Sequence, residues 1–336
     1  MRPICLSGHE RSITQIIYNT DGDLIFTASK NPSLNVWFSQ NGERLGSFNG
    51  HGGVVWSIDV DWTSTRLISG SGDATMKLWD VSNGKQINNF ALGSSARVCK
   101  FSYSGNLILC VVEPFTNTNG EIRVIDTREK NQMNGNKCLF NLSGAEKMRI
   151  AAGTWGDLED NIIVGKDNGT LEVIELRKEG IVKRVEAHKK IITDIQKHVD
   201  GTMFLTASKD HTAKLFGIYD FDCVRTYAAE RPVNSAAISP NRPHVLLGGG
   251  QEADEVTTTS APAGKFDAKF YHMIYAEEFG TVKGHFGPIN SVAFNPDGSG
   301  FATGGEDGYV RLHNFDPDYD EVEQRLFSIP SVPVKA

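Results

Sequence analysis

The sequence lacks any long hydrophobic run. No stretch reaches the 18 or more apolar residues that a membrane-spanning helix needs. The first ten residues, MRPICLSGHE, also lack the apolar segment that follows the basic start of a secretory signal peptide. We therefore expect a cytosolic or nuclear protein that makes no membrane contact, and of these compartments we favour the cytoplasm.

Cysteine and catalytic motifs are also sparse. The chain has five scattered cysteines, and no two of them have the C-x-x-C spacing of a zinc or redox site. The glycine-rich stretches at residues 69–72 and 248–250 are not followed by the Lys-Ser/Thr of a phosphate-binding loop. No acid, base and nucleophile converge in any other motif. The sequence thus predicts a protein that is not an enzyme and needs no metal or cofactor.

The chain has no excess of basic charge. Its 336 residues contain 34 Lys and Arg against 41 Asp and Glu, a formal net charge of −7. A negative surface repels a phosphate backbone, so we expect no direct nucleic-acid binding. A hydrophobic content of 39% and a charged content of 22% are typical of a globular protein with a full-sized core.

One pattern is repeated along the chain. It begins at a histidine and continues with a hydroxyl residue 18 positions later, an Asp or Asn after 22 and a ring after 28. The histidines are His9, His51, His188 and His285; the hydroxyl residues are Thr27, Ser69, Thr206 and Thr303; the acids or amide are Asn31, Asp73, Asp210 and Asp307; and the rings are Trp37, Trp79, Phe216 and His313. Repeats of about 40 residues with Gly-His and Trp-Asp signals are typical of propeller blades.

Physical chemistry suggests a structural purpose for this pattern. A four-stranded blade must hold a tight turn against the start of its first strand, and a small buried network of polar side chains can do so. Repeat folds use such polar sets to fix each unit, so we interpret the four histidines as structural, not catalytic.

The spacing of the histidines gives the number of blades. The first two copies are 42 residues apart, the gap of 137 residues between His51 and His188 leaves room for two further units, and the gap of 97 between His188 and His285 leaves room for one. Turn signals separate the predicted strands. They are Asp21-Gly22, Asp200-Gly201 and Asp297-Gly298 after the first strands, and Asn41-Gly42 and Asn83-Gly84, which favour type I′ turns, after the Trp strands.

An open ring would leave a strand edge unpaired at each end. Residues 2–8 align at the 42-residue offset with residues 44–50, the fourth strand of blade 1, so they should complete blade 7. The sequence thus predicts an all-β, seven-bladed WD40 β-propeller whose N-terminal strand closes the last blade. We expect residues 1–316 to form this single domain, with insertions in blades 3 and 6, and residues 317–336 to form a C-terminal tail.

The later blades carry a more specific signal. The runs ERPVNSAAISP, LLGGGQEADEVTTTS and GKFDAKFYHMIYAEEFGTVKGHFGPINSVAFNPDG, with the opening RPICLSGHERSITQIIYNTDGDLIFTASK, resemble the family of subunit i of eukaryotic translation initiation factor 3. This resemblance implies a non-catalytic scaffold subunit that supports assembly of the factor, its binding to the 40S ribosomal subunit, and recruitment of mRNA and initiator tRNA. It implies subunit b as the chief partner and subunit g as another. It further implies docking on the later blades, with contact candidates Asp220, Asp222, Glu230 and Gln251.

Two other classes of protein fit the generic repeat. One is a WD-repeat adaptor in signalling or in substrate recognition by a ubiquitin ligase, which has no reason to carry the blade 6 segment. The other is a propeller enzyme with a site in its central channel, for which no converging acid, base or metal set is found.

Overall fold

The computed structural model describes residues 3–116, 119–133, 138–143, 149–250 and 266–319. The described strands form seven antiparallel sheets of four strands each, arranged as the blades of a β-propeller. The all-β prediction, the number of blades and their positions in the chain are confirmed.

The first three blades each contain four consecutive strands, beginning at β2. Blade 1 contains β2 (Ile13–Tyr18), β3 (Leu24–Ser29), β4 (Leu34–Phe38) and β5 (Arg44–Phe48). Blade 2 contains β6 (Val55–Val60), β7 (Arg66–Ser71), β8 (Thr75–Asp80) and β9 (Gln86–Ala91). Blade 3 contains β10 (Ala96–Phe101), β11 (Leu107–Val112), β12 (Glu121–Asp126) and β13 (Phe140–Ser143), with a short helix α1 (Lys130–Met133) before its last strand.

The later blades continue the same order. Blade 4 contains β14 (Ile150–Trp155), β15 (Asn161–Lys166), β16 (Thr170–Glu175) and β17 (Gly180–Glu186). Blade 5 contains β18 (Ile192–Lys197), β19 (Met203–Ser208), β20 (Thr212–Gly217) and β21 (Cys223–Ala228). Blade 6 contains β22 (Val233–Ile238), β23 (His244–Gly249), β24 (Ala268–His272) and β25 (Glu278–Val282). Blade 7 contains β26 (Ile289–Phe294), β27 (Gly300–Gly305), β28 (Val310–Asn314) and β1 (Ile4–Leu6).

The N-terminal strand closes the ring. β1 pairs antiparallel with β28, and Ile4, Cys5 and Leu6 lie opposite Leu312, Arg311 and Val310. Leu6 is buried in the cluster that joins blade 7 to blade 1. The predicted closure is confirmed, and it gives β28 a partner on both of its edges.

The first strands of neighbouring blades touch around the whole ring, and β2 contacts both β6 and β26. These inner strands line a central cavity of about 610 Å³. The second strand of each blade is covered by the neighbouring blades and is almost fully buried. The outer strands β17 and β21, by contrast, expose most of their residues. The core is thus divided into clusters between adjacent sheets.

Small residues in the second strands allow this close packing. The fifth residue of these strands is Gly or Ala in every blade except blade 3, where it is Val111. A β-carbon on Gly70 would lie 2.6 Å from Cys99 Sγ in the first strand of the next blade. One on Gly304 would lie 2.6 Å from Ile16 Cδ1 across the closing interface. A larger side chain at either position would force the blades apart.

The predicted type I′ geometry of the Asn-Gly turns is wrong. Gly42 and Gly84 are left-handed, with φ of 72° and 68°, but Asn41 and Asn83 are not. The Gly42 N–H donates to the carbonyl of Phe38 at 2.9 Å, which closes a longer turn. The outer strands β5 and β9 shift register beside these turns. Because this turn has one left-handed position, it requires the glycine and not the asparagine.

The disc has two faces with different connections. The linker face carries the connections between blades and the turns between the second and third strands. The tail face carries the turns between first and second strands and between third and fourth strands, together with residues 315–319 after β28. Tyr319 lies on this face, with its hydroxyl 3.0 Å from His244 Nε2 at the start of β23. The chain after the last blade therefore packs against blade 6.

Candidate functional site

Blade 2 shows the repeated polar network in full. His51 Nδ1 lies 3.0 Å from Asp73 Oδ2, and His51 Nε2 lies 2.7 Å from Ser69 Oγ. The indole N–H of Trp79 donates to the same Ser69 oxygen at 2.8 Å. Thr75 donates to Asp73 Oδ1 at 2.6 Å. The network therefore joins the linker before β6 to β7, to the turn after it and to β8.

Blade 5 and blade 7 repeat the histidine contacts at the predicted positions. His188 lies 3.0 Å from Asp210 Oδ2 and 2.8 Å from Thr206 Oγ1. In blade 7, His285 Nδ1 lies 3.1 Å from Asp307 and its Nε2 lies 2.9 Å from Thr303 Oγ1. The Arg311 guanidinium also donates to Asp307 at 3.0 Å.

Blade 1 departs from the pattern at Asn31. His9 Nε2 lies 2.7 Å from Thr27 Oγ1, and Trp37 Nε1 donates to that oxygen at 3.0 Å. The side-chain amide that contacts His9 is that of Asn35, at 3.2 Å. Asn31 instead donates its backbone N–H to Ser29 Oγ. A neutral amide at position 31 does not attract the imidazole as a carboxylate does, and the position of Asn35 on β4 brings its amide within reach of the ring.

The ring position is filled in three ways. Trp37 and Trp79 each donate their indole N–H to the blade hydroxyl. Phe216 has no donor and instead stacks on Phe204, with ring centroids 5.4 Å apart. His313 stacks on Phe301 at 4.7 Å. Blades 5 and 7 therefore keep the packing of this ring without the indole hydrogen bond.

Burial and hydrogen bonding set the protonation states of the blade 2 network. Burial lowers the pKa of His51 even though Asp73 opposes the shift. Burial alone would raise the pKa of Asp73, but hydrogen bonds from Thr75, the Gly52 N–H and His51 lower it to about 2. At pH 7 the histidine is neutral and the aspartate ionised, as a structural hydrogen-bond network requires.

Sequence reasoning missed two members of the network. A threonine stands 24 positions after His51 and His188, and Thr75 and Thr212 lie 3.2 and 3.1 Å from those rings. The residue 26 positions after each histidine is Asn35, Lys77, Lys214 or Arg311. Asn35 and Arg311 contact the histidine directly. Both offsets recur in the printed sequence and could have been found there.

The central cavity is polar, and its cations are paired. Lys30 lies 2.9 Å from Glu306, and Lys100 lies 3.6 Å from Asp59. The guanidinium of Arg97 stacks 4.3 Å from the ring centroid of Trp56 and lies 3.8 Å from Glu113. Among the described residues, no three His, Cys, Asp or Glu side chains are grouped as a metal site requires. No helix within these ranges is long and apolar enough to span a membrane.

The predicted contact residues lie on opposite faces of the disc. Asp220 and Asp222 are exposed in the turn between β20 and β21, on the tail face. Glu230 follows the other end of β21, on the linker face, beside a small cavity that is also lined by Arg231 and Lys269. Gln251 falls outside the described residues. One partner segment on one face therefore cannot contact all of these acids.

The fold and its networks define a class of protein: a closed WD-repeat propeller, whose rigid disc offers two faces and a rim for docking. Comparison with known proteins narrows this class. The sequence model of the EIF3I family matches residues 1–324. Eukaryotic translation initiation factor 3 subunit I of Xenopus laevis is 50% identical over 323 residues, which cover 96% of this chain and 99% of that protein. The proteins of the same name from Bombyx mori and Drosophila grimshawi are 51% and 52% identical, over 95% and 96% of this chain and 97% and 99% of theirs.

The chain therefore belongs to the family of subunit I of eukaryotic translation initiation factor 3. The family resemblance drawn from the blade 6 and blade 7 segments is confirmed.

Proposed function

We propose that this protein is a non-catalytic scaffold subunit of eukaryotic translation initiation factor 3 in the cytoplasm. In this role it supports assembly of the factor and its binding to the 40S ribosomal subunit, and through that binding the recruitment of mRNA and initiator tRNA. Its direct partners are other subunits of the factor, chiefly subunit b and also subunit g.

The closed ring supports the scaffold part of this proposal. β1 pairs along β28, so every blade has four strands and the disc is rigid without a partner. A rigid surface loses little conformational freedom on binding, which favours association. Proteins of this name in other organisms match the chain over almost their whole length, which supports the same role here.

The acidic side chains of blade 5 and of the linker to blade 6 are the proposed contacts for subunit b. Asp220 and Asp222 offer two carboxylates on the tail face, and Glu230 offers one on the linker face. Carboxylates at a rim attract arginines of a partner, which speeds association and fixes its orientation more than it raises affinity. We also propose that Gln251 contributes to this contact.

The function is tested by purifying the tagged protein from cytosol and identifying its partners by mass spectrometry. We expect the other subunits of initiation factor 3 and the 40S subunit. Recovery of kinases, or of ubiquitin-ligase components, in place of the initiation subunits would refute the proposal.

The contact residues are tested face by face, because the structure separates them. We expect Asp220→Lys with Asp222→Lys, or Glu230→Lys, to weaken binding of subunit b, and the more damaging variant identifies the face it uses. Glu10→Lys, which reverses the charge of an exposed acid near the first blade, is the matched control. Undiminished binding by both variants, with normal melting curves, would show that the docking surface lies elsewhere.

A further inference from the structure

Four neighbouring blades present exposed apolar side chains at the same place on the tail face. The turns between their first and second strands carry Trp62, Tyr103, Leu158 and Val199, in blades 2, 3, 4 and 5. Their exposed fractions are 62%, 80%, 76% and 71%. The equivalent turns of the other three blades carry Thr20, Pro240 and Pro296. We call these four turns, residues 61–65, 102–106, 156–160 and 198–202, the apolar arc.

The four turns of the apolar arc are joined to one another by hydrogen bonds. Arg66, directly after the first turn, donates from Nη2 to the carbonyl of Gly105 in the second at 2.7 Å. The Ser104 N–H donates to Glu159 Oε1 in the third turn at 2.5 Å. Lys197, directly before the fourth turn, donates to the carbonyl of Gly156 at 3.2 Å. The exposed side chains are therefore held on one preorganised surface, which lowers the entropy lost on binding.

Two of these turns hold residues in an unfavourable backbone conformation. Ser64, Leu158 and Glu159 have φ of 58°, 40° and 65°, where a β-carbon is sterically disfavoured. Other blades use glycine in this turn, such as Gly22 and Gly298. Such conformations persist where the surroundings impose them, and they cluster at binding and switch sites. The chain therefore keeps Leu158 exposed at a backbone position that favours glycine.

The charge of the apolar arc indicates the chemistry of its partner. Its four turns contain five carboxylates, two of which pair with arginines just outside the turns: Arg66 lies 3.0 Å from the buried Asp61, and Arg177 lies 3.1 Å from Asp160. The carboxylates are Asp61, Asp157, Glu159, Asp160 and Asp200. Burial alone would raise the pKa of Glu159, but hydrogen bonds from Ser104 and Ser102 and the charge of Arg128 lower it, so this group is ionised at pH 7. The negative charge beside the apolar anchors therefore comes chiefly from Asp157, Glu159 and Asp200.

We propose that the apolar arc is a docking surface for a basic amphipathic segment of a partner protein, in which Lys or Arg alternates with apolar side chains. Apolar side chains grouped on one surface mark interaction sites, and aromatic residues such as Trp62 and Tyr103 are common anchors of protein interfaces. Complementary charge orients the segment, and the same negative charge disfavours RNA. This inference rests on the proposed function, because the partner is a subunit of the assembled factor.

Hydroxyl-radical footprinting of the free protein and of the purified initiation factor tests the proposal. We expect Trp62 and Tyr103 to be oxidised several-fold more slowly in the assembled factor. Phe286, which is 84% exposed on the linker face, is the matched control and should be oxidised at an unchanged rate. Equal oxidation of Trp62 in the free and assembled protein would overturn the inference but leave the proposed function standing. Recovery of the chain without any other subunit would overturn both.

A photo-crosslinking amino acid in place of Val199 identifies the occupant. We expect a crosslink to a segment in which basic and apolar residues alternate. A crosslink to RNA or to an acidic segment would refute the proposal. Trp62→Ser combined with Leu158→Ser should reduce retention of the crosslinked subunit by about tenfold or more, whereas Phe286→Ser should leave it unchanged. Higher salt should weaken the same contact, since part of the attraction is between exposed charges.

Discussion

Replacing Thr27 by valine removes one oxygen atom that serves two neighbours. Thr27 Oγ1 lies 2.7 Å from His9 Nε2 and accepts the indole N–H of Trp37 at 3.0 Å. Both Thr27 and Trp37 are buried, so water cannot replace the lost partner. A buried donor left unpaired costs about 1–3 kcal/mol. With the lost histidine bond, we expect Thr27→Val to lower the free energy of unfolding by about 2–4 kcal/mol.

Blade 5 offers a matched control with the same chemical change. Thr206 is also buried, and its Oγ1 lies 2.8 Å from His188 Nε2. Its ring neighbour is Phe216, which has no N–H to leave unpaired. We therefore expect Thr206→Val to cost only about 1–2 kcal/mol. The difference between the two variants, on the order of 1–2 kcal/mol, measures the indole hydrogen bond.

Urea denaturation at 25 °C, followed by far-UV circular dichroism, measures both values. A double-mutant cycle isolates the pair: in a Trp37→Phe background, Thr27→Val should cost no more than Thr206→Val does in the parent protein. Equal losses for the two threonine variants, or a cycle with no coupling between positions 27 and 37, would refute the reasoning. The ring would then act through packing alone.

Three further predictions follow from closure, burial and packing. Deleting residues 1–8 removes β1 and the buried Leu6, and should lower the melting temperature by at least about 5 °C, measured by calorimetry; an unchanged melting temperature would contradict the closure. Burial, with repulsion from neighbouring positive groups, lowers the pKa of His313 to about 4. Since the unfolded chain binds this proton near pH 6.5, the stability that depends on neutral His313 is present above pH 6.5 and is lost as the pH falls towards 4. Denaturation curves recorded between pH 6.5 and pH 4 should show that His313→Phe removes up to about 3 kcal/mol of this fall in the free energy of unfolding. An unaltered dependence of the free energy on pH would argue against this role of His313. Gly304→Ala should cost about 1–3 kcal/mol because its β-carbon meets Ile residues of blade 1, whereas Gly93→Ala, with no atom within 4 Å, should change stability by less than about 0.5 kcal/mol. Equal effects of the two alanines would show that blade spacing does not limit this position.

Much of the fold was predictable because the repeat fixes it. The 28-residue offset from each histidine located the third strand of four blades, and the alignment of residues 2–8 located the closing strand. The three weaker blades were found from their β-rich runs and from the gaps between histidines. These signals persist because every blade must bury the same two faces.

Finer features were not predictable from spacing alone. The offset placed Asn31 in the blade 1 network, but the asparagine that contacts His9 is Asn35, whose position on β4 brings its amide to the ring. The Asn-Gly dipeptides indicated turns but not their type, because the register shift of the outer strand determines how many residues the turn contains. Asp222 and Glu230 are near in sequence but are separated by β21, so only the strand direction shows that they face opposite ways.

The pairing of β1 with β28 has a consequence for synthesis of the chain. Ile4 lies opposite Leu312, so β1 pairs with a strand that is synthesised about 300 residues later. At about 5–20 residues per second, translation from Ile4 to Leu312 takes roughly 15–60 s. Throughout that time the N-terminal segment has no native partner, and its apolar residues are available to chaperones or to other nascent chains. The ring can therefore close only after β28 has been synthesised.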